Sequence, residues 1–148
     1  MIKAYKVFAY LIAIEVVIQA AAIAYAIMDF HSFIVNGATV TPDNIETIDF
    51  SGGWGFFIHG INGQFLIPLF AIILFILSFF AKRIKHGIAY ASTILGLIVV
   101  QVFLGLASSD LPLLGLLHGA NALAIFTFAI LAIVAARKAQ KVPEITTA

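Results

Sequence analysis

Hydrophobic residues occur in four long, nearly unbroken blocks, without the alternation of a half-buried strand or the one-sided spacing of a surface helix. A block of about 18 or more apolar residues is long enough to cross the roughly 30 Å hydrocarbon core of a bilayer as an α-helix. The pattern therefore predicts four transmembrane helices, with approximate ranges 7–28, 54–81, 87–107 and 111–136. The long connection, 29–53, is expected to fold over one end of the helices as a lid, with a mobile acidic loop as the alternative.

The composition agrees with a membrane protein. Hydrophobic residues make up 63% of the chain and charged residues 10%, whereas a soluble domain carries about a quarter charged residues. The first block follows Lys3 and Lys6 as a signal peptide would, but its length of about 22 residues exceeds the usual 7–15 of a signal core. We therefore expect one domain, residues 1–148, that is an all-α integral membrane four-helix bundle in a lipid bilayer, with no nucleic-acid partner.

The positive charges all lie on one side of this predicted topology. The eight Lys and Arg residues precede the first block, join the second to the third, or follow the fourth: Lys3, Lys6, Lys82, Arg83, Lys85, Arg137, Lys138 and Lys141. The other side carries only acidic charges: Asp29, Asp43, Glu46, Asp49 and Asp110. Short loops rich in Lys and Arg stay cytoplasmic. The sequence thus predicts cytoplasmic N- and C-termini in an inner or plasma membrane.

The second and fourth blocks open with the same motif, residues 59–63 (HGING) and 118–122 (HGANA). A weaker match links residues 17–19 (VIQ) of the first block to 99–101 (VVQ) of the third. These matches predict two pseudo-repeated helical hairpins related by an axis along the membrane normal. At 1.5 Å per residue, both histidines should lie roughly 7–10 Å below the outer helix ends, near Gln19 and Gln101.

This polar layer suggests a cofactor, because ionisable residues inside a bilayer are costly and normally face the bundle interior. Two neutral imidazoles on diagonal helices can ligate one haem iron from opposite faces. We therefore expect His59 and His118 to ligate one haem b, since the absence of cysteine excludes covalent c-type attachment. The alternatives are a bare copper or zinc ion and a purely structural polar layer.

The neighbours of the histidines suit this interpretation. Small residues beside them would leave room for a macrocycle: Gly60, Gly63, Gly119 and Ala122. The second ring nitrogen of each ligand needs an acceptor, which Asn62, Asn121 or backbone carbonyls one turn earlier could supply. The outer side has no Lys or Arg for the haem propionates. We expect them to rely on water, Trp54, His31, Asn or helix N-terminal amides; the alternative for His31 is simple exposure to solvent.

Two polar residues fall outside this layer. Glu15 lies near the middle of the first block and is expected either to belong to a proton or quinone path or to hydrogen-bond to a neighbouring helix. His86 lies on the inner side beside basic residues and is expected to be a solvated interface residue.

At its two His-bearing helices the chain resembles one four-helix half of the haem A synthase family, which places a His on the second and fourth helices near the outer face. Gln101, within residues 99–102 (VVQV), also matches. Residues 117–123 (LHGANAL) resemble a segment of small, uncharacterised four-helix bacterial membrane proteins. The chain has Phe56 where the synthases have a catalytic glutamate, Gly60 where many have Arg, and no loop cysteines. The resemblance implies a haem-holding scaffold without methyl hydroxylation.

The predicted function is electron transfer by a b-type cytochrome that is a subunit or partner of a respiratory or redox complex. Its expected redox partner is a membrane protein or a quinone. No catalytic residue is assigned, because an electron-transfer role is favoured over a stand-alone enzyme. The alternatives are a non-redox accessory membrane subunit and an enzyme that modifies quinone or haem.

Overall fold

A computed structural model describes residues 1–44 and 48–141. Glu46 and the last residues of the predicted 1–148 domain lie outside these ranges. The described chain is helical and contains no strand. Its helices are α1 (Ile2–Val35), α2 (Gly53–Ile61), α3 (Ile67–Phe80), α4 (Gly87–Ala107) and α5 (Leu114–Lys141). A π-helical turn, Asn62–Leu66, joins α2 to α3 within one continuous second span, Gly53–Phe80. All four spans are long and apolar enough to cross a membrane, as predicted.

The first and fourth helices are longer than their apolar blocks. Hydropathy marks only the part of a helix that lipid surrounds, whereas the helix itself continues until its backbone is stopped. The stop after α1 is Gly37, whose φ of +97° is a left-handed conformation that glycine adopts without a steric cost. Gly37 N–H donates to Ile34 O and Ala38 N–H to Phe33 O, at 3.0 and 3.3 Å, which is a Schellman motif. Residues 29–35, predicted as loop, are therefore helical.

The fourth helix begins three residues later than predicted. Two tight turns precede it, with Leu114 N–H donating to Leu111 O and Gly115 N–H to Pro112 O, each at 2.9 Å. The third helix has the predicted bounds, 87–107, and the second span differs by one residue at each end.

The spans form a ring in which each contacts the next. The first span packs against the second and the fourth, and α4 packs against α3 and α5. The second and fourth spans are consequently diagonal to each other. Lys3, Lys6, the 82–85 turn and the end of α5 share one end of the bundle, here called the basic end. Asp29 and Asp110 lie at the opposite, acidic end.

The basic half of the bundle is closely packed. Each span contributes an alanine that is fully buried in this half: Ala9, Ala71, Ala91 and Ala129. Small residues let membrane helices approach closely, which strengthens their van der Waals contacts. Tyr5 OH donates to Gly87 O at 2.9 Å and ties the first span to the third across the bundle. This solid packing leaves the acidic half as the place where a cavity can form.

The first two spans also meet closely at the acidic end. A Cβ at Gly55 would lie 2.4 Å from Ala22 O and 2.9 Å from Ala26 Cβ. Glycine is therefore required there for α1 and α2 to reach this separation. Gly52 N–H donates to Asp29 Oδ2 at 2.6 Å, where a negative charge is favourable beside a helix N-terminus.

The described part of the connection between α1 and α2 is anchored by one aromatic residue. The ring of Phe50 lies 5.3 Å from Phe30, 5.8 Å from Phe33 and 6.2 Å from Phe56, measured between centroids. The connection thus packs against the acidic-end surface of the first two spans.

Candidate cofactor site

A cavity of about 370 Å³ lies between the four spans in the acidic half of the bundle. This volume falls within the range of small-molecule sites, roughly 300–1,000 Å³. Its wall is mostly apolar, and its polar members are Gln19, His59, Gln64, Gln101 and His118. None of the described residues of the connection between α1 and α2 lines it. The lid predicted from the sequence therefore does not form part of the cavity wall in the ranges that the structure describes.

The two histidines face each other across this cavity from diagonal spans. Their ring centroids are 6.0 Å apart and their planes are inclined by 56°. A metal–imidazole bond is about 2.0–2.1 Å long and the ring centroid lies about 1.1 Å behind the nitrogen, so two imidazoles in line on one metal have centroids about 6.2–6.4 Å apart. The observed centroid separation of 6.0 Å is close to this value.

A hydrogen bond to a neighbouring helix orients each ring. His59 Nδ1–H donates to Gln19 O at 3.2 Å, and His118 Nδ1–H donates to Gln101 O at 3.1 Å. A carbonyl only accepts, so this contact assigns the proton to Nδ1 and leaves Nε2 with the lone pair that a metal requires. The prediction that each ring donates to Asn62, Asn121 or a carbonyl one turn earlier in the same helix is wrong. The acceptors lie on the adjacent span, which a pattern along one helix does not reveal.

Glycines shape the space beside the rings. Gly60 and Gly119 line the cavity, and a Cβ at either would meet no atom within 4 Å. Gly63 and Ala122 also line it. Gly105 was not predicted from the sequence; a Cβ there would lie 3.1 Å from His118 Cε1 and 3.3 Å from His118 Nδ1. The only sequence feature that points to Gly105 is its position one turn after Gln101, on the same face of α4.

Gln64 also lines the cavity and was missed. In a regular α-helix the fifth residue after His59 would point away from the face that His59 occupies. The π-helical turn widens the helix locally and brings Gln64 into the wall. One signal was available in the chain: His118 follows His59 by 59 positions, but Ile125 follows Ile67 by 58. The second span therefore has one residue more than the fourth over this stretch, which is the mark of a π turn.

The two asparagines stand behind the cavity wall. Asn121 Nδ2 donates to Gln101 Oε1 at 2.6 Å and to Leu97 O at 2.9 Å. Asn62 Nδ2 donates instead to Glu15 Oε2 at 3.1 Å. This contact agrees with one of the two alternatives predicted for Glu15, a hydrogen bond to a neighbouring helix. These bonds cross between spans, so the asparagines tie adjacent helices together, and neither asparagine lines the cavity.

The glutamine on the first span is less completely bonded. Gln19 Nε2 donates to Ile58 O at 3.4 Å, which is a long contact. Gln19 Oε1 is buried without a hydrogen-bond partner in the described chain.

Trp54 and His31, the predicted propionate partners, do not line the cavity. Trp54 is 71% exposed and packs edge-on against Phe57, with ring centroids 5.7 Å apart. His31 is exposed on the last turns of α1, about 18 Å along the helix from Gln19 at 1.5 Å per residue. This distance follows from the continuation of α1 to Val35. His86 lies at the basic end beside Tyr90, with centroids 6.4 Å apart.

Two histidines are fewer ligands than a bare metal ion usually takes in a protein. Structural zinc usually takes four protein ligands and catalytic zinc three. No group of three or more His, Asp or Glu side chains that could hold a metal ion occurs in the described ranges. A metal held here by His59 and His118 would thus need its remaining ligands from a bound group, and the open space at Gly60 and Gly119 leaves room for one.

No protein-family model, curated protein or solved structure matches the chain. The similarity to the haem A synthase family therefore stays a prediction, and the function has to be argued from the geometry of the cavity.

Proposed function

We propose that the protein is a membrane-embedded b-type cytochrome in which Nε2 of His59 and Nε2 of His118 ligate the iron of one haem. The observation that carries this proposal is the pair of imidazoles 6.0 Å apart across a cavity, each with its Nδ1–H bonded to a backbone carbonyl. The haem would supply an iron that takes up and releases one electron. Two axial histidines leave no open position on the iron, which favours electron transfer over oxygen binding.

The chain's own residues would exclude water from the basic side of the cavity. Ile67, Ile98 and Ile125 line its deeper end and are 7%, 2% and 2% exposed. Below them the packed alanines and branched residues form a continuous core. Electrons would therefore enter and leave near the acidic end and would not cross the bilayer through this chain alone.

Two equivalent hairpins would place the iron on a pseudo-twofold axis along the membrane normal. The cavity wall supports this arrangement. Val16, Gln19, Ala20 and Ile23 of α1 line it, and so do the residues 82 positions later, Ile98, Gln101, Val102 and Gly105. Fully buried Ala9 and Ile12 likewise correspond to fully buried Ala91 and Ile94 at the same spacing.

The charge distribution indicates the orientation. Short loops rich in Lys and Arg stay cytoplasmic, so we assign the basic end to the cytoplasm and the haem to the outer half of an inner or plasma membrane. All eight cations lie at the basic end. The haem carboxylates would consequently be solvated by water at the acidic end and not paired with Lys or Arg.

The electron partner would be either a lipid-soluble quinone or a membrane protein of a redox complex. Both can reach a haem near the outer surface of a bundle that consists of little more than four spans. We propose that the protein is a subunit or partner of a larger redox assembly, and we assign no catalytic residue.

An absorption spectrum of the purified protein tests the proposal. Wild-type protein is expected to show a reduced-state α band that is absent from His59→Ala and from His118→Ala. The control variants His31→Ala and His86→Ala remove histidines outside the cavity and should keep the band. A colourless wild-type preparation from cells with sufficient haem would overturn the proposal and favour a non-redox accessory subunit.

A further inference from the structure

The two asparagines that follow the histidines have different partners. Asn121 binds Gln101 Oε1, but Asn62 binds Glu15 Oε2 and leaves Gln19 Oε1 buried and unpaired. The difference follows from one residue on the adjacent helix. Glu15 of α1 stands 82 positions before Leu97 of α4, the same spacing that separates the two glutamines.

This difference makes Asn62 a donor with two competing acceptors. A carboxylate is a stronger acceptor than an amide oxygen because it is charged, so an ionised Glu15 retains the Asn62 amide even though Gln19 Oε1 loses a partner. A protonated Glu15 is a weaker acceptor. Asn62 could then turn to Gln19 Oε1, in the arrangement that Asn121 and Gln101 already show.

The competition for the Asn62 amide connects Glu15 to His59, the proposed haem ligand. Gln19 is one helical turn from Glu15, about 6 Å along α1, and its backbone carbonyl accepts from His59 Nδ1–H. Charges inside an apolar bundle interact more strongly than charges at the same separation in water. An added electron on the iron and a proton on Glu15 would therefore stabilise each other.

The groups that face Glu15 supply no other charge at its level. The second span has His59 as its one titratable residue. The fourth span has His118 at the cavity and three cations toward its basic end, where Arg137 donates to the Tyr10 hydroxyl. On α1 itself Tyr10 precedes Glu15 by more than a turn, and Asp29 lies at the acidic end. Glu15 is thus the carboxyl best placed to compensate a charge in the cavity.

We propose that Glu15 is a proton-binding site coupled to the haem, an inference that rests on the proposed cytochrome function. The Glu15 carboxylate would accept one proton from the aqueous phase as a redox partner delivers one electron to the bound haem. It would release the proton when that electron leaves. The net charge of the bundle interior then stays constant, and Asn62 changes its acceptor from Glu15 to Gln19.

Potentiometric titration over a range of pH tests this coupling in the purified haem protein. The wild-type midpoint potential should fall as the pH rises, by up to about 59 mV for each tenfold decrease in proton concentration. Glu15→Gln keeps an oxygen acceptor for Asn62 and should show a flat profile. Asp110→Asn, which removes an exposed carboxyl at the acidic end, is the matched control and should behave as the wild type does.

The reduced-minus-oxidised infrared spectrum gives a second readout. Reduction of the wild type should produce the band of a protonated carboxyl, and Glu15→Gln should lack it. An equal potential slope and an equal carboxyl band in Glu15→Gln would overturn the inference, because another acid would then bind the proton. Absence of haem from the wild type would instead overturn the cytochrome proposal.

A second variant covers the case in which Glu15→Gln binds no haem. Asn62→Ala keeps the carboxyl and removes the amide that it shares with Gln19. The pH dependence of the midpoint potential should therefore weaken. An unchanged pH dependence would show that Asn62 does not couple Glu15 to the haem.

Discussion

As metal ligands, the two histidine side chains would need both a fixed proton position and open space beside the ring. The carbonyls of Gln19 and Gln101 provide the first, because each accepts from a histidine Nδ1–H. Gly60 and Gly119 provide the second, because nothing lies within 4 Å of where their Cβ would be. An acceptor that holds the other ring nitrogen of a histidine ligand typically contributes about 10–100-fold to metal affinity. Here the acceptors are backbone atoms, so side-chain substitution cannot remove them directly.

The glycines permit a prediction at this scale. Gly119→Leu should fill the cavity beside His118 and reduce haem binding by roughly 10-fold or more, while leaving the bundle folded, since the new side chain enters open space. Haem content per protein and helix content by circular dichroism check both parts.

Gly115→Leu is the matched control for this substitution. Gly115 also has nothing within 4 Å of its Cβ position, but it does not line the cavity. Equal haem content in the two variants would contradict the assignment of this cavity as the haem site.

At the scale of the helices, the π-helical turn is the main difference between the two His-bearing spans. Before the turn, His59 corresponds to His118 at a spacing of 59 positions. After the turn, buried Ile67 and Ala71 correspond to buried Ile125 and Ala129 at 58. The turn therefore absorbs one additional residue and keeps both the histidine and the core residues on the inward face.

This correspondence predicts opposite results for two single-residue deletions. Deletion of Phe65, which is 66% exposed, should convert the turn to regular α-helix and preserve haem binding, because the fourth span is already regular at that level. Deletion of Ala124 in the fourth span should abolish binding, because it rotates His118 by about 100° relative to the core residues that follow.

The absorption spectrum of each purified deletion protein is the measurement. Loss of haem from both proteins, with retained helix content, would mean that the π turn is itself required for the site. Retention in both would mean that His118 is not a ligand.

On the scale of the whole molecule, the bundle divides into a closely packed basic half and an acidic half that contains the cavity. Fully buried alanines from each span close the basic half, and cations from three separate segments lie at its end. The haem would therefore exchange electrons at one side of the membrane, and the asymmetric packing and charge of the bundle decide which side.

Cysteine labelling tests this orientation directly, because the chain has no native cysteine. Asp110→Cys, in the turn at the acidic end, should react with a membrane-impermeant thiol reagent added to intact cells. Lys85→Cys, in the turn at the basic end, should react only after the membrane is permeabilised. The reverse pattern would move the cavity to the cytoplasmic half and contradict the orientation proposed from the charges.

The sequence by itself determined the four spans and the separation of charges. It also singled out His59 and His118, whose rings the structure brings together at one cavity. Hydropathy and charge act through local composition, so a linear pattern is sufficient to read them. The predicted helix ends were less accurate, as α1 shows, because a helix continues past the lipid until a residue such as Gly37 stops it.

Only the tertiary structure decided what surrounds the two histidines. The carbonyls that accept from them, Gly105 beside His118, and the pairing of Glu15 with Asn62 all join different helices. Such contacts depend on how each helix is rotated about its axis, and in the second span that rotation is set by a π turn. A pattern read along one helix does not contain this rotation, because it is fixed only when the four spans pack together.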